Sequence, residues 1–267
     1  MTQLSSHLSV LNRLPKTNCR ECRQASCLAF SVAVFQGKKT LTDCPYLEGD
    51  GTIEARKGSG EASQIERDME KALNNLQQRI RAINLAEAAK RCGALYNQGK
   101  LTLTCLGKPF SVDAAGTIYS GCHVNRWVSI PILNYVLECT GRQPRGEWVP
   151  LRETQGGADW WRLFGQRCEK PLKRVIDEYT ELLELLVEIF AGKPAPDRFN
   201  SDIAVIIHPL PRLPILLCYW KSEDGMDSSL HLFFDVTAEE NLKIESIYTL
   251  CVGLVTMFEK IALTHGR

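Results

Sequence analysis

The 267-residue chain is 44% hydrophobic and 24% charged, a globular composition long enough for one large domain or two modest ones. Its 32 Lys and Arg against 31 Asp and Glu leave a net charge of +1, which excludes the strongly basic class of nucleic-acid binders. Eleven cysteines, an odd number with four of them between positions 19 and 44, argue against a secreted disulfide scaffold.

The opening MTQLSSHLSVLNRLPK lacks the basic start, long apolar run and small-residue cleavage site of a signal peptide. No stretch is long and apolar enough to span a bilayer; the most apolar window, 203–220, carries three prolines, a His and an Arg. A cytoplasmic, reducing location is therefore expected. Residues 1–47 are basic, with six Lys and Arg against two Asp and Glu, while the remainder has 26 against 29. Between the two textures, EGDGTIEARKGSGEAS (48–63) is rich in Gly, Ser and charge and reads as a linker. The expected division is a cysteine-rich module over 1–48, a linker over 49–63 and a larger domain over 64–267.

Beyond the linker, Ile65, Met69, Leu73, Leu76, Ile80, Ile83 and Leu85 recur at spacings of three and four, predicting an amphipathic helix within 64–97, broken near Asn84. Residues 100–120 alternate around Gly-Lys and Ala-Gly turns and predict two or three antiparallel strands. SIPILNYVLECTG (129–141) predicts a helix ended by Gly141, and 160–192 a long helical region interrupted or restarted at Pro171. Strands follow in IAVIIH, ILLCYW and SLHLFFD, the first two joined through PLPRLP, and a helix over 244–263 closes the chain. The fold class is α+β: a small helical cysteine-rich module, then a larger domain with an antiparallel sheet packed by helices. No internal repeat or low-complexity tract is present.

The sharpest feature is Cys19-x2-Cys22-x4-Cys27-x16-Cys44. Thiolates suit soft metals, and a zinc ribbon would supply two close C-x2-C pairs. Three cysteines within nine residues plus a distant fourth is instead the pattern that holds a cubane, one cysteine per iron. Zinc and four unconnected cysteines are the competing readings. A helix is expected to start at or near Cys27, to end at Gly37, and to offer Leu28, Phe30, Ala33, Val34 and Phe35 as apolar cover. Its N-terminal N–H groups would favour an anionic cluster, and Pro45 would stiffen the loop of the fourth cysteine. So short a segment cannot build much of a core, so metal binding and folding should be linked.

The run LPKTNC-x2-C-x4-CLAF…DCP, over about residues 10–48, resembles the small four-iron, four-sulfur domain of the corrinoid iron–sulfur protein large subunit, a module that also occurs in a membrane electron-transport subunit of the Rnf type. The resemblance implies that Cys19, Cys22, Cys27 and Cys44 ligate a [4Fe-4S] cluster. The family usually has Gly after the first two cysteines and Pro-Thr before the third, where this chain has Arg20, Arg23 and Ala25-Ser26. Two arginines there would favour the reduced cluster, form a docking patch for an acidic redox partner, or be solvated charges. The later GEWVPLRETQGGADWW and LPILLCYW…LFFD resemble an uncharacterised domain family found behind this module in anaerobes, a family with no activity to lend.

Among the other cysteines, Cys92, Cys105, Cys139, Cys168, Cys218 and Cys251 read as core packing. The adjacent Cys122 and His123 are the best candidates for one further metal ligand, and His208 and His231 for contact with a cofactor, although satisfied structural histidines are commoner. The three Trp of 146–164 suit a pocket rim or, more simply, a helix entry. No Asp-x-His-x-x-Gly lower-ligand string appears, so this chain is not expected to hold a corrinoid itself. Neither a dinucleotide fingerprint, a phosphate loop, H-E-x-x-H nor a helix-turn-helix is present. The expected function is single-electron transfer to or from a redox partner, such as a corrinoid protein or an oxidoreductase, or to a cofactor in the C-terminal domain. A reductase with its pocket in that domain, and an oxygen- or redox-sensing iron–sulfur protein, are the alternatives.

Overall fold

The computed structural model describes residues 10–11, 13–36, 38–47, 61–179, 187–195, 199–223 and 225–265. The chain separates into two compact units, Met1–Glu70 and Lys71–Arg267. Residues 49–60 of the expected linker, and the helix stop expected at Gly37, lie outside the described residues.

In the first unit, helix α1 (Cys27–Phe35) is apolar nearly all round and buries Cys27, Phe30, Ser31, Ala33 and Val34. Such a helix is stable only when most of its surface is enclosed, and Leu28 is left exposed. Ser26 caps its start by accepting from the Ala29 N–H at 3.1 Å, and the Lys38 N–H closes its end on the Ala33 carbonyl at 2.9 Å.

Helix α2 (Glu61–Arg81) leads into the second unit and buries Leu76 and Ile80 there. Asn84 breaks the helical run as expected. Its side chain caps α3 (Leu85–Cys92) by accepting from the N–H groups of Ala86 and Glu87, and Gly93, at φ +65°, ends it. The helix expected as far as 97 therefore stops earlier, and Leu95–Asn97 becomes β1. With β2 (Lys100–Cys105), β3 (Lys108–Val112) and β4 (Ile118–Ser120), the three strands that the alternation of 100–120 allows, it forms a four-stranded antiparallel meander in chain order. Helix α4 spans Arg126–Glu138, capped by Asn125, so it stops short of Gly141.

The second sheet has five antiparallel strands in the order β5 (Trp148–Pro150), β9 (Ser229–Asp235), β8 (Leu213–Trp220), β7 (Ile203–Leu210) and β6 (Lys193–Pro194). Strands β7 and β8 continue through most of the expected PLPRLP loop, leaving only Pro211 and Arg212 as the turn. A one-residue register shift between Ile207 and Leu210 places His208 and Pro209 in a bulge, where a proline costs no ladder bond. The His208 carbonyl accepts from the Leu106 N–H at 3.1 Å and so ties this sheet to the meander.

Helix α5 (Gly157–Phe164) widens into a π-helical turn over Gly165–Glu169, whose Lys170 N–H reaches back to the Gly165 carbonyl, and continues as α6 (Lys170–Glu178). The helix is thus continuous across Pro171, because the wider turn before it accommodates a residue that cannot donate. Residues 180–186 lie outside the described residues. After α7 (Ala238–Asn241), α8 (Ile244–His265) packs with α6 against one sheet face. Leu172 of α6 and Cys251, Leu254 and Phe258 of α8 meet Ile207, Ile215, Leu217 and Leu232 there. The opposite face is closed over Leu216 and Cys218, with Trp148, Trp220 and Phe233 around them.

Candidate metal centre

The first unit folds around seven buried residues: Val10, Leu14, Cys22, Cys27, Phe30, Val34 and Cys44. Three of the four motif cysteines therefore sit in one small core, and each is carried by a different local device. Cys27 is the first residue of α1, where its N–H donates to the Asn18 side chain at 2.8 Å. Cys44 follows a single helical turn, Leu41–Asp43, pinned by the Thr40 N–H on the Asp43 carboxylate at 2.7 Å. Cys22 lies in the loop between them and Cys19, and Cys19 is exposed. The phenol of Tyr46 donates to Glu21 at 2.7 Å, a contact that raises its pKa, and Cys19 and Cys44 both add to that rise.

The loop is wound in an unusual way. Lys16, Asn18, Arg20 and Arg23 all have φ between +51° and +65°. Left-handed residues at such close intervals form backbone concavities that suit anions, iron–sulfur clusters among them. For a residue with a Cβ this conformation costs roughly 1 kcal/mol or more, whereas Gly adopts it freely. Arg20 and Arg23 stand directly after Cys19 and Cys22, so the strain falls at the two positions where the resembled family carries glycine.

One expectation about electrostatics changes. The N–H groups at the start of α1 were expected to face the cluster, but that of Cys27 is taken by Asn18 and that of Ala29 by Ser26. A helix end satisfies its orphan donors with the nearest side-chain acceptor, and both are provided locally. Among the described residues no group of three or more His, Cys, Asp or Glu side chains is gathered as a site for a metal ion, and all eleven cysteines are free thiols. The donor set nevertheless suits an iron–sulfur centre: four thiols, three in an apolar core and one at its surface, with no carboxylate of 1–47 left to compete. Glu21 is held by Tyr46, and Asp43 by Thr40.

The remaining cysteines separate clearly. Cys92, Cys105, Cys139, Cys168, Cys218 and Cys251 are buried in the second unit. Burial pushes the Cys105 and Cys168 thiols up to about 12 and raises Cys251 as well, so they stay protonated and unreactive. Cys139 is more acidic than its neighbour Cys92, lowered by the hydrogen bond between them. Yet the Arg91 carbonyl and Asn241 Oδ1, each 3.4 Å from its sulfur, are acceptors that keep the proton in place. Around this pair the Tyr135 hydroxyl donates to the Cys92 carbonyl at 3.0 Å and accepts from the Arg212 N–H at 3.1 Å, tying two helix ends to the β7–β8 turn. Cys122 and His123 are exposed. His208 is half-buried in the bulge, and burial lowers its pKa.

Sequence reasoning missed one feature of the second unit. A cleft of about 480 Å³ runs between the α5–α6 helix and the start of β9, walled by Trp161, Arg162, Glu169, Lys170, Lys173 and His231 among others. It exists because β5 covers β9 only from Phe233 onward. Glu169 fills part of the uncovered edge, accepting from the Leu232 N–H at 3.1 Å and standing 3.6 Å from His231 Nδ1. Of the three Trp of 146–164, Trp160 packs on Tyr248 at 5.0 Å, a helix-entry role, while Trp161 remains 46% exposed at the cleft. In sequence, Arg162, Glu169, Lys170 and Lys173 form no motif that sets them apart from the rest of the helical region.

A family model described as "Domain of unknown function (DUF3786)" matches residues 84–257, well over half of the chain. The chain belongs to the DUF3786 family. A second model, described as "Putative Fe-S cluster", matches residues 14–46, so this DUF3786 protein carries an iron–sulfur module ahead of its family domain. The module is 49% identical over 43 residues to the acetyl-CoA decarbonylase/synthase complex subunit gamma of Methanothermobacter thermautotrophicus, covering 16% of this chain and 9% of that one. It is 45% identical over 40 residues to the corrinoid/iron-sulfur protein large subunit of Moorella thermoacetica, covering 15% and 9%. A longer alignment, 22% identical over 217 residues, relates it to the gamma subunit of Methanocaldococcus jannaschii, covering 77% of this chain and 41% of the other. The DUF3786 protein thus spans less than half the length of each of these curated relatives. No solved structure matches it. Among the described residues no helix is long and apolar enough to cross a membrane.

Proposed function

We propose that Cys19, Cys22, Cys27 and Cys44 ligate a [4Fe-4S] cluster and that the protein passes single electrons between this centre and a redox partner in anaerobic metabolism. Residues 1–48 would be the cluster module, 49–63 a linker, and 64–267 the domain that receives the partner or a cofactor, all in the cytoplasm. The observation that carries the reading is the clustering of Cys22, Cys27 and Cys44 in one apolar core beside the exposed Cys19, within the segment matched by the iron–sulfur family. Such a cluster supplies one-electron chemistry at low reorganisation, and four thiolates leave no iron open to substrate. The protein's own contribution is to exclude water with Phe30, Val34 and Leu14, and to leave one ligand at the surface. Subunits of the corrinoid-containing and acetyl-CoA-forming systems share the module, so a corrinoid protein or an oxidoreductase is the favoured partner class.

The test is metal analysis and redox titration of anaerobically reconstituted protein. Iron in excess of zinc, with a reversible one-electron paramagnetic signal, is the expected result. Zinc in its place would refute the cluster, and rapid oxygen-driven loss coupled to a change of oligomeric state would favour a sensor.

The cleft favours a second reading, a reductase whose small substrate sits in the DUF3786 domain. Its volume suits a small ligand, and Arg162 and Lys170 set a positive charge against Glu169, Lys173 being paired with Asp177 at 2.7 Å. The Glu169 carboxylate raises the pKa of His231, with burial and Arg152 opposing. The imidazolium therefore favours the folded state below the ordinary value of 6.5, and that contribution is lost as pH rises through the raised value. Anion affinity in the cleft should follow the same sign. Calorimetry with benzoate and with inorganic phosphate is expected to show binding that weakens with rising pH and falls about fivefold or more in Lys170→Gln. An absence of heat from both probes would reject this reading.

A further inference from the structure

We infer that Arg20 and Arg23 form the rim of a docking surface for an acidic one-electron carrier, centred on the exposed Cys19. The inference rests on the electron-transfer reading above and adds the chemistry of the partner. Its first support is the backbone. Arg20 (φ +65°) and Arg23 (φ +57°) hold the left-handed conformation that glycine adopts without steric cost, so a long cationic side chain is kept where the local geometry disfavours it. The structure offers no internal repayment. Both side chains are exposed, and among the described residues neither makes an ion pair or a side-chain hydrogen bond.

The second support is charge. The two acidic residues of 1–47 point elsewhere, Glu21 accepting from the Tyr46 hydroxyl and Asp43 from Thr40, and among the described residues neither forms an ion pair with Arg20 or Arg23. The third is the composition of the surface. Tyr46, 53% exposed, donates to Glu21 and stands two residues after Cys44, while Leu28, 50% exposed, follows Cys27 directly. Exposed apolar groups beside the cysteines, rimmed by unpaired positive charge, have the make-up of a transient interface steered by electrostatics. Cys19 is the motif cysteine at the surface, and a carrier docked there stands at the shortest through-bond exit from the centre.

The test uses one haem acceptor in two charge states, native basic cytochrome c and its succinylated acidic form. One electron leaves the reduced chain and takes the haem iron from ferric to ferrous; no bond is made or broken. At low ionic strength the iron-loaded protein is expected to reduce the acidic form about tenfold faster than the basic one, with the advantage vanishing as salt is raised. Arg20→Asn with Arg23→Asn removes the charge while keeping residues tolerant of the left-handed region, and should abolish the preference at unchanged iron content. Arg20→Lys with Arg23→Lys should retain it. Equal rates for the two acceptors, or a preference that survives in the asparagine variant, would overturn the docking assignment alone. Reduction of neither acceptor by iron-loaded protein would overturn the electron-transfer reading and this inference with it.

Discussion

Replacing Cys22 with serine is expected to lower the iron content of the reconstituted protein about tenfold or more. A serine hydroxyl remains protonated where a thiol becomes a thiolate, so the ligand is lost while the side-chain volume barely changes. The consequence should extend to folding. Cys22 belongs to a core of seven residues, and three of those seven are motif cysteines, so little apolar surface is left to hold the unit without metal. Iron analysis, together with limited proteolysis of the first 47 residues, reads both effects. Cys122→Ala, which changes an exposed residue with no cluster of ligands around it among the described residues, should leave iron unchanged. Normal iron in the Cys22 variant would refute the ligand assignment, and iron loss in the Cys122 variant would show that a cysteine outside the motif takes part in holding the metal.

Gly157→Ala should destabilise the DUF3786 domain on the order of 3 kcal/mol or more. A Cβ at this first residue of α5 would overlap the Leu151 carbonyl and approach Thr154 Oγ1 to 2.6 Å, and a backbone carbonyl cannot rotate away as a side chain can. For a domain of this size that corresponds to a fall in melting temperature of roughly 6–12 °C. Gly156→Ala is the control. Its Cβ would meet only the side chains of Glu239 and Ile244, at 3.0 Å, so its cost should stay within about 1 kcal/mol. Thermal unfolding of the two variants decides the point; equal melting temperatures would mean that the chain relieves the overlap by shifting residues 151–154.

These two glycines show what the sequence could and could not convey. Their pairing marks a turn, but the closeness of Leu151 to Gly157 arises from a tertiary approach that no local pattern encodes. The break at Asn84 was legible because an N-cap asparagine and a left-handed glycine are local devices. The continuity of the helix through Pro171 was not, since it depends on a widened turn whose residues, Gly165–Glu169, have no distinctive composition. PLPRLP reads as a loop because prolines normally leave ladders, and the bulge that keeps Pro209 within a strand is visible only once β7 and β8 are paired. At the candidate centre, spacing alone isolated the four cysteines. The positive φ of Arg20 and Arg23 was foreshadowed only by the glycines of the resembled family, and the cleft beside His231 was hidden because it depends on where β5 stops.

One consequence follows from a core so rich in sulfur. If the four motif thiols ligate a cluster, three of the seven residues in the described core of the first unit are ligands, and the persistence of that unit in a cell would follow the supply of iron and sulfide more closely than temperature or mutation load. Under scarcity the first unit would then become a substrate for proteases, while the larger domain, whose core holds its own apolar side chains, would endure. The ratio of trimmed to full-length protein would then record the history of cofactor delivery in the population.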